Sequence, residues 1–209
     1  MMLVRIQHGG TTDPNLISDE DLLARSHEGD EEAFAALYRR RQASVYRFAL
    51  HMSGREEVAE EVTQDVFVAL IHEPARFDSE RGSLTAFLIG IARNHVLRHI
   101  GRTRGRNRNH VCIDDDACAE PEAVNTDPLA SLTREEAAEA VRQAVLSLPC
   151  AYREVVVLCD LEELSYSDAA GVLGIPVGTV RSRLYRGRAL LSEKLRSSRS
   201  GTDAARCSA

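Results

Sequence analysis

A basic segment near the carboxyl end of the chain carries side chains suited to binding DNA. Over residues 179–188, arginine and hydroxyl side chains recur at helical spacing and no acidic residue is present. Arginine can hydrogen-bond guanine in the major groove, and further arginines can neutralise backbone phosphates. The segment therefore predicts a DNA-binding surface made of Thr179, Arg181, Ser182, Arg183, Tyr185 and Arg186.

The residues around this segment predict a helix-turn-helix. Ser165 is a good N-cap for a short helix ending near Leu173, Gly174 supplies the turn, and Pro176 suits the start of a second helix. That second helix has an apolar stripe opposite the polar face, formed by Val180, Leu184, Gly187 and Leu191. The alternative is a solvated basic helix with a structural turn. It is disfavoured because the glycine turn, the apolar stripe and the basic charge all favour a helix-turn-helix that binds DNA.

A second candidate surface lies on an amphipathic helix predicted over residues 56–71. Its apolar stripe is formed by Val58, Val62, Val66, Ala69 and Leu70. The opposite face is acidic or amide-bearing and then apolar, with Glu57, Glu60, Glu61, Gln64, Val68 and Ile71. A mixed face of this kind suits docking onto a partner helix. Considered by itself, however, the pattern favours a solvated acidic helix.

Periodicity predicts an all-α chain of two small domains. The helical pattern begins after Ser18 and is interrupted at residues 73–83, which contain Pro74 and Gly82. An acidic, proline-bearing segment farther along predicts a flexible linker. The expected organisation is a disordered tail at 1–18, a first domain at 19–108, a linker at 109–131, a second domain at 132–196 and a disordered tail at 197–209.

Composition narrows the possible functions. The chain has 209 residues and a formal net charge of −6, which argues against a protein that coats nucleic acid with its whole surface. No apolar run approaches the roughly 18 residues that span a bilayer, and the first residues lack a signal-peptide core. We therefore expect a cytoplasmic protein that does not insert into membranes. No phosphate loop or nucleophile motif is present, so neither enzymatic activity nor a cofactor is expected.

The cysteines and one acidic run leave minor alternatives open. Cys112 and Cys118 lie near His110 and could bind a metal or sense oxidation, but they lack CxxC spacing. The run from Asp114 to Asp116 could suggest a metal site, although such a run in a polar linker is more often solvating charge. We expect no metal, and the pattern assigns no role to Cys207.

The carboxyl-terminal segment resembles region 4 of sigma-70 family factors, particularly the extracytoplasmic-function (ECF) group. The resemblance covers residues 146–191, with the sequence LSLPCAYREVVVLCDLEELSYSDAAGVLGIPVGTVRSRLYRGRALL. In that family this domain binds the −35 promoter element. The resemblance implies that the residues facing DNA are Arg181, Ser182, Tyr185 and Arg186.

The segment VAEEVTQDVF, within the predicted 56–71 helix, is similar to region 2.2 of the same family. That region binds the clamp coiled coil of RNA polymerase, so the resemblance favours the docking interpretation. Glu60, Glu61, Gln64 and Asp65 stand at acidic or amide positions of that motif, and Glu57 and Val68 from the outer face of the helix complete the predicted docking set. Val58 stands where the family usually has an acidic residue. Residues 21–50 resemble regions 1.2 and 2.1.

Residues 77–104, FDSERGSLTAFLIGIARNHVLRHIGRTR, resemble regions 2.3 and 2.4, which open and recognise the −10 element. Melting requires a pocket for an extruded base and a cationic path for the single strand. The candidate residues are Ser83, Arg93, Asn94, Arg98, Arg102 and Arg104. Phe87 replaces a frequent tryptophan and is expected to be core, and Arg98 stands where an acidic residue is common.

The resemblance implies a sigma factor that directs promoter-specific initiation. Its expected partners are the clamp coiled coil and flap of core RNA polymerase, promoter DNA and an anti-sigma factor. The alternative is a stand-alone helix-turn-helix regulator, against which residues 56–108 argue. We expect the acidic linker to leave both domains separate and open; the alternative is self-inhibition by a linker that folds back onto a basic surface.

Overall fold

The computed structural model describes residues 17–72, 77–105 and 134–206, with backbone alone at 102–105, 134–136 and 197–206. All regular secondary structure within these residues is helical, which confirms the predicted fold class. The helices are α1 (Asp19–His27), α2 (Glu31–Ser53), α3 (Glu56–His72), α4 (Leu84–Gly105), α5 (Arg134–Leu146), α6 (Cys150–Val156), α7 (Tyr166–Leu173) and α8 (Val177–Arg206). A 3₁₀ turn, Ser79–Arg81, precedes α4, and a π-helical turn, Val157–Leu161, continues α6.

The first domain is a bundle in which α2, α3 and α4 pack around an apolar core. Ser18 caps α1 as predicted, because its hydroxyl accepts a hydrogen bond from the backbone N–H of Asp21 at 3.1 Å. Asp30 caps α2 in the same way through Ala33. Gly54 then ends α2 with a left-handed φ of 70°, which glycine adopts without steric cost.

The second domain contains the predicted helix-turn-helix. Ser165 caps α7 by accepting from the backbone N–H of Asp168 at 3.0 Å. Gly174 ends the helix in the left-handed conformation, with a φ of 67°. Pro176 immediately precedes α8 rather than occupying its first position, and its carbonyl accepts from the N–H groups of Thr179 and Val180. The two helices are therefore oriented by short-range signals.

The prediction of a disordered tail from residue 197 is wrong for most of that segment. Helix α8 continues to Arg206 instead of ending near Arg196. The segment contains no proline, and extending an existing helix adds one hydrogen bond for each residue fixed. The tail beyond Arg206, residues 1–16 and the predicted linker at 109–131 lie outside the described residues, as do the cysteines and acidic run within them.

The first and second domains pack against one another, so the expectation that they remain separate is wrong. Helix α2 contacts α5, and α4 contacts α7. Arg153 of α6 donates a hydrogen bond to the carbonyl of Met52 in α2 at 3.1 Å. Buried apolar residues of both domains form a single cluster. The contact joins residues that are far apart in sequence, so local sequence patterns do not predict it.

Backbone strain is concentrated at Glu163, between the π-helical turn and α7. Among the described residues it is the only non-glycine with positive φ, at 55°. We expect Glu163→Gly to raise the unfolding free energy by roughly 0.5–1 kcal/mol, since the left-handed conformation costs other residues about 1–2 kcal/mol and glycine's unfolded-state entropy offsets part of that gain. Chemical denaturation measures the change. Glu163→Ala is the matched control, because it keeps the strained angle; equal stabilisation by both would exclude the backbone explanation.

Candidate DNA-binding and docking surfaces

Helix α8 separates a buried face from an exposed polar face, as predicted. Val180, Leu184 and Gly187 are buried against the rest of the domain. On the opposite side Tyr185 is 79% exposed, and Ser182 and Arg186 are also exposed. Arg181 is exposed at the flank, whereas Thr179 and Arg183 are half-buried. The structure thus exposes four of the six predicted residues on α8 and leaves the other two half-buried.

Two contacts organise the charges beside this face. The Arg181 guanidinium lies 5.8 Å from the ring centroid of Tyr166, within the range of a cation–π interaction. Arg188 donates two hydrogen bonds to the carboxylate of Asp160, at 3.0 and 2.6 Å. Asp160 raises the pKa of Arg188 by this pairing. The guanidinium of Arg188 is therefore engaged within the domain.

The outer face of α3 carries five of the six predicted docking residues, all except Asp65. Val58, Val62, Val66 and Leu70 are buried. Val58 is therefore a core residue. On the outer side the acidic and amide residues are followed by two apolar ones, Val68 at 51% and Ile71 at 54% exposure. Large apolar side chains this exposed are suited to burial by a partner.

Two histidines of α4 pair with acidic residues of α3. His95 Nδ1 lies 2.9 Å from the Asp65 carboxylate, and His99 Nε2 lies 3.6 Å from Glu61. Asp65 is half-buried and faces α4, whereas Glu61 stays exposed. The sequence interpretation did not pair these residues. One feature of the sequence could have indicated the pairing. The two histidines are four residues apart on α4 and the two acidic residues are four residues apart on α3, so the two pairs can face each other across the helix contact.

A groove between α2 and α3 borders the docking face on its other side. Its volume is about 290 Å³, and its lining includes Tyr38, Gln42, Tyr46, Glu60, Thr63 and Gln64. The two tyrosine rings supply apolar walls, and the carboxylate and amides supply hydrogen-bonding groups. The combination suits a partner side chain that has an apolar body and a polar end.

The residues predicted to contact the −10 element do not all share one open surface. Ser83 caps α4 by accepting from the backbone N–H of Ala86 at 3.2 Å, and Asn94 and Arg98 are exposed. Arg93 instead faces the second domain, where its Nε donates to Glu154 at 2.7 Å. The side chains of Arg102 and Arg104 lie outside the described residues.

Phe87 packs as predicted for a core residue. Its ring centroid lies 5.6 Å from that of Phe77, and both side chains contact the apolar core. This arrangement supports the core role over base stacking.

The two thiols of the described residues, Cys150 and Cys159, are half-buried, and burial raises the pKa of Cys159.

Two further searches concern other classes of site. No group of three or more histidine, cysteine or acidic side chains in the described residues is placed to hold a metal ion. Among the helices of that same part of the chain, none is both long enough and apolar enough to cross a bilayer.

Comparison with known proteins identifies both domains. Residues 37–106 match the family model described as Sigma-70 region 2, and residues 138–191 match Sigma-70, region 4. The ECF RNA polymerase sigma factor SigE of Mycolicibacterium smegmatis is 34% identical over 170 residues, which cover 80% of this chain and 64% of that protein. The ECF RNA polymerase sigma factor SigW of Bacillus subtilis is 30% identical, over 81% of this chain and 92% of its own.

A solved structure agrees with these relatives. The sigma factor RpoE of Bartonella quintana, in complex with the anti-sigma factor NepR, is similar with a TM-score of 0.58 and 25% identity. The similarity covers 78% of this chain and 96% of RpoE. Both family models lie on the domains that hold the predicted surfaces, and curated relatives match across most of the chain. The chain therefore belongs to the sigma-70 family and, within it, to the ECF RNA polymerase sigma factors.

Proposed function

We propose that this sigma factor docks on core RNA polymerase through α3, opens the −10 element with α4 and binds the −35 element with α8. The first two activities fall in a module at 19–108, the third in a module at 132–196, with 109–131 as the linker. The proposed docking residues are Glu57, Glu60, Glu61, Gln64, Asp65 and Val68. The proposed −35 residues are Thr179, Arg181, Ser182, Arg183, Tyr185 and Arg186, and the −10 set is Ser83, Arg93, Asn94, Arg98, Arg102 and Arg104.

The polar face of α8 is the observation that carries this proposal. It is the second helix of a helix-turn-helix, its apolar side is buried, and its exposed side presents Arg181, Tyr185 and Arg186. A second helix of this kind enters the major groove and contacts base edges. The segment lies within the residues that match region 4.

The alternative function is a helix-turn-helix regulator that acts without polymerase. Such a regulator has no need of a first domain that matches region 2, or of an exposed apolar pair such as Val68 and Ile71 on α3. These two observations favour the sigma factor.

The remaining partners follow from the same proposal. Engagement of the clamp coiled coil by α3 places the second domain near the polymerase flap, and both interactions occur in the cytoplasm. An anti-sigma factor is a further proposed partner, supported by the similarity to RpoE, which was solved with NepR.

Docking is tested by changing the outer face of α3. We expect Glu61→Lys to weaken binding to core polymerase by about tenfold, because it replaces a carboxylate at the proposed interface with a like-sized cation. Gln64→Ala should weaken binding less. Co-purification with core and circular dichroism of the free variants are the measurements. Glu20→Lys on α1 is the matched control, since it makes the same exposed charge change away from α3. Unchanged co-purification for both α3 variants would exclude this face.

A further inference from the structure

Two carboxylates of the second domain are buried against arginines of the first. The Glu162 side chain is fully enclosed and accepts hydrogen bonds from Ser44 Oγ at 2.5 Å and Arg47 Nη2 at 3.0 Å. Glu154, also buried, accepts from Arg93 Nε at 2.7 Å. We call these contacts, Arg47–Glu162 and Arg93–Glu154, the interdomain ion pairs.

Hydrogen bonds from the Arg153 side chain to backbone carbonyls reinforce the same contact. Arg153 of α6 reaches across to the end of α2, where it donates to the carbonyl of Met52, and it also donates to the carbonyls of Leu146 and Leu148. Met52 and Leu146 lie at the ends of α2 and α5, where the last carbonyls lack partners within the helix, and Leu148 lies in the turn before α6. Arg153 thereby fastens the second domain to the carboxyl end of α2.

Burial makes each interdomain ion pair dependent on its arginine. An enclosed carboxylate without a compensating cation is strongly unfavourable, whereas the same carboxylate in water is well solvated. Separation of the two domains would expose Glu162 to water. Loss of Arg47 should therefore drive the domains apart, since the open arrangement relieves the unpaired charge.

Arg93 connects domain closure with DNA binding. It belongs to the proposed −10 residues, yet in the closed arrangement its guanidinium is hydrogen-bonded to Glu154. The neighbouring Asn94 and Arg98 remain exposed. The Nε–H that Glu154 accepts is not available to a phosphate or base while the domains are closed, so closure restricts the −10 contact that Arg93 can make.

We propose that the free protein is held in a closed, self-inhibited state by the interdomain ion pairs, and that promoter engagement requires their separation. This inference rests on the proposed function, because inhibition is defined relative to promoter use. Ligands that bind only the open state, here core polymerase and promoter DNA, must supply the free energy of opening. The inhibitory group in this proposal is a pair of buried carboxylates in the second domain.

Solution scattering by the full-length protein tests the closed state. We expect Arg47→Met to raise the radius of gyration, and Arg47→Met with Glu162→Gln to reverse most of that increase, because the double variant buries no unpaired charge. If Arg47→Met opened the protein only because contacts were lost, and not because Glu162 was left unpaired, the double variant would have a radius of gyration at least as large as that of the single variant. Arg25→Met is the matched control: its side chain is 48% exposed against 51% for Arg47, and its partner Asp30 lies in the same domain. A radius for Arg47→Met equal to that of the wild type would overturn the proposal.

Transcription with the source bacterium's core polymerase tests the inhibition. We expect Arg47→Met to reach half-maximal promoter-specific transcription at a concentration up to about tenfold lower than the wild type, as follows from a tenfold larger open population. Opening without any gain in transcription would overturn the inhibitory role. If neither the wild type nor the variants supported promoter-specific transcription, the proposed function would be refuted. The scattering experiment would still decide, independently, whether the interdomain ion pairs hold the two domains together.

Discussion

Gly187→Val should abolish transcription from promoters that depend on a −35 element. Gly187 lies where α8 crosses α6, and a Cβ there would be 2.9 Å from Val156 Cγ2 and 3.4 Å from the Tyr152 carbonyl. Val156 is buried in the core and the Tyr152 carbonyl belongs to the backbone of α6, so a branched side chain must displace α8. Overpacking of this kind typically costs about 1–3 kcal/mol, and valine adds two further methyl groups, so we expect a loss near the upper end of that range. Denaturant unfolding and −35-dependent transcription measure the two effects.

Gly178→Ala, in the same helix, is the matched control for Gly187→Val. No atom lies within 4 Å of a Cβ at position 178, and alanine in a helix is favoured over glycine by roughly 0.5–1 kcal/mol. Gly178→Ala should therefore be neutral or stabilising. If both variants unfolded at the same denaturant concentration as the wild type, close packing of α8 on α6 would not be what positions the DNA-binding face.

Arg186→Ala should produce the largest loss among substitutions that leave the fold intact. Arg186 is exposed in the middle of the polar face of α8, so its removal creates no cavity. If it forms a bidentate contact with a base, its loss should cost about 1–3 kcal/mol and relax sequence preference at one −35 position. If Arg186 contacts phosphate alone, binding should weaken equally for all −35 sequences. The slope of the logarithm of the binding constant against the logarithm of salt concentration should then fall in magnitude by about one. Transcription from a library of −35 variants at several salt concentrations distinguishes the two cases.

Arg196→Ala is the control for charge in that comparison. Arg196 is an exposed arginine of α8, about ten residues beyond Arg186, and lies outside the proposed −35 set. Its substitution removes the same charge and should leave −35 preference unchanged. Wild-type promoter activity and preference for Arg186→Ala would show that the DNA-binding face had been assigned wrongly.

Local signals in the sequence were sufficient to predict the helices and the orientation of α8. Ser18 and Ser165 are caps whose hydroxyls accept the expected backbone hydrogen bonds, and Gly174 has the left-handed angle that a helix end requires. Each of these features depends on residues fewer than five positions away. The faces of α3 and α8 follow from helical periodicity alone, which is why the buried and exposed sides agree with the prediction.

The interdomain contact could not be predicted in this way, because its partners are far apart in sequence. Ser44 contacts a residue 118 positions away, and Arg93 contacts one 61 positions away. One indication was present: Glu154 precedes the apolar run VVVLC, and an acidic residue at the edge of a buried segment requires a partner. The sequence pattern does not reveal which arginine is the partner of Glu154. The sequence therefore predicts only a DNA-binding role for Arg93 and not its hydrogen bond to Glu154.

The most direct test of the central claim is run-off transcription with purified core polymerase on a pool of genomic fragments from the source bacterium. The structure and the family membership predict that addition of the protein yields discrete transcripts whose start sites share two sequence elements at a fixed separation. The free protein should bind the same fragments only weakly, since its two DNA-binding modules gain effective concentration when polymerase holds both. Tight, specific binding by the protein alone, with no new transcripts when core polymerase is present, would contradict the account and favour a stand-alone regulator.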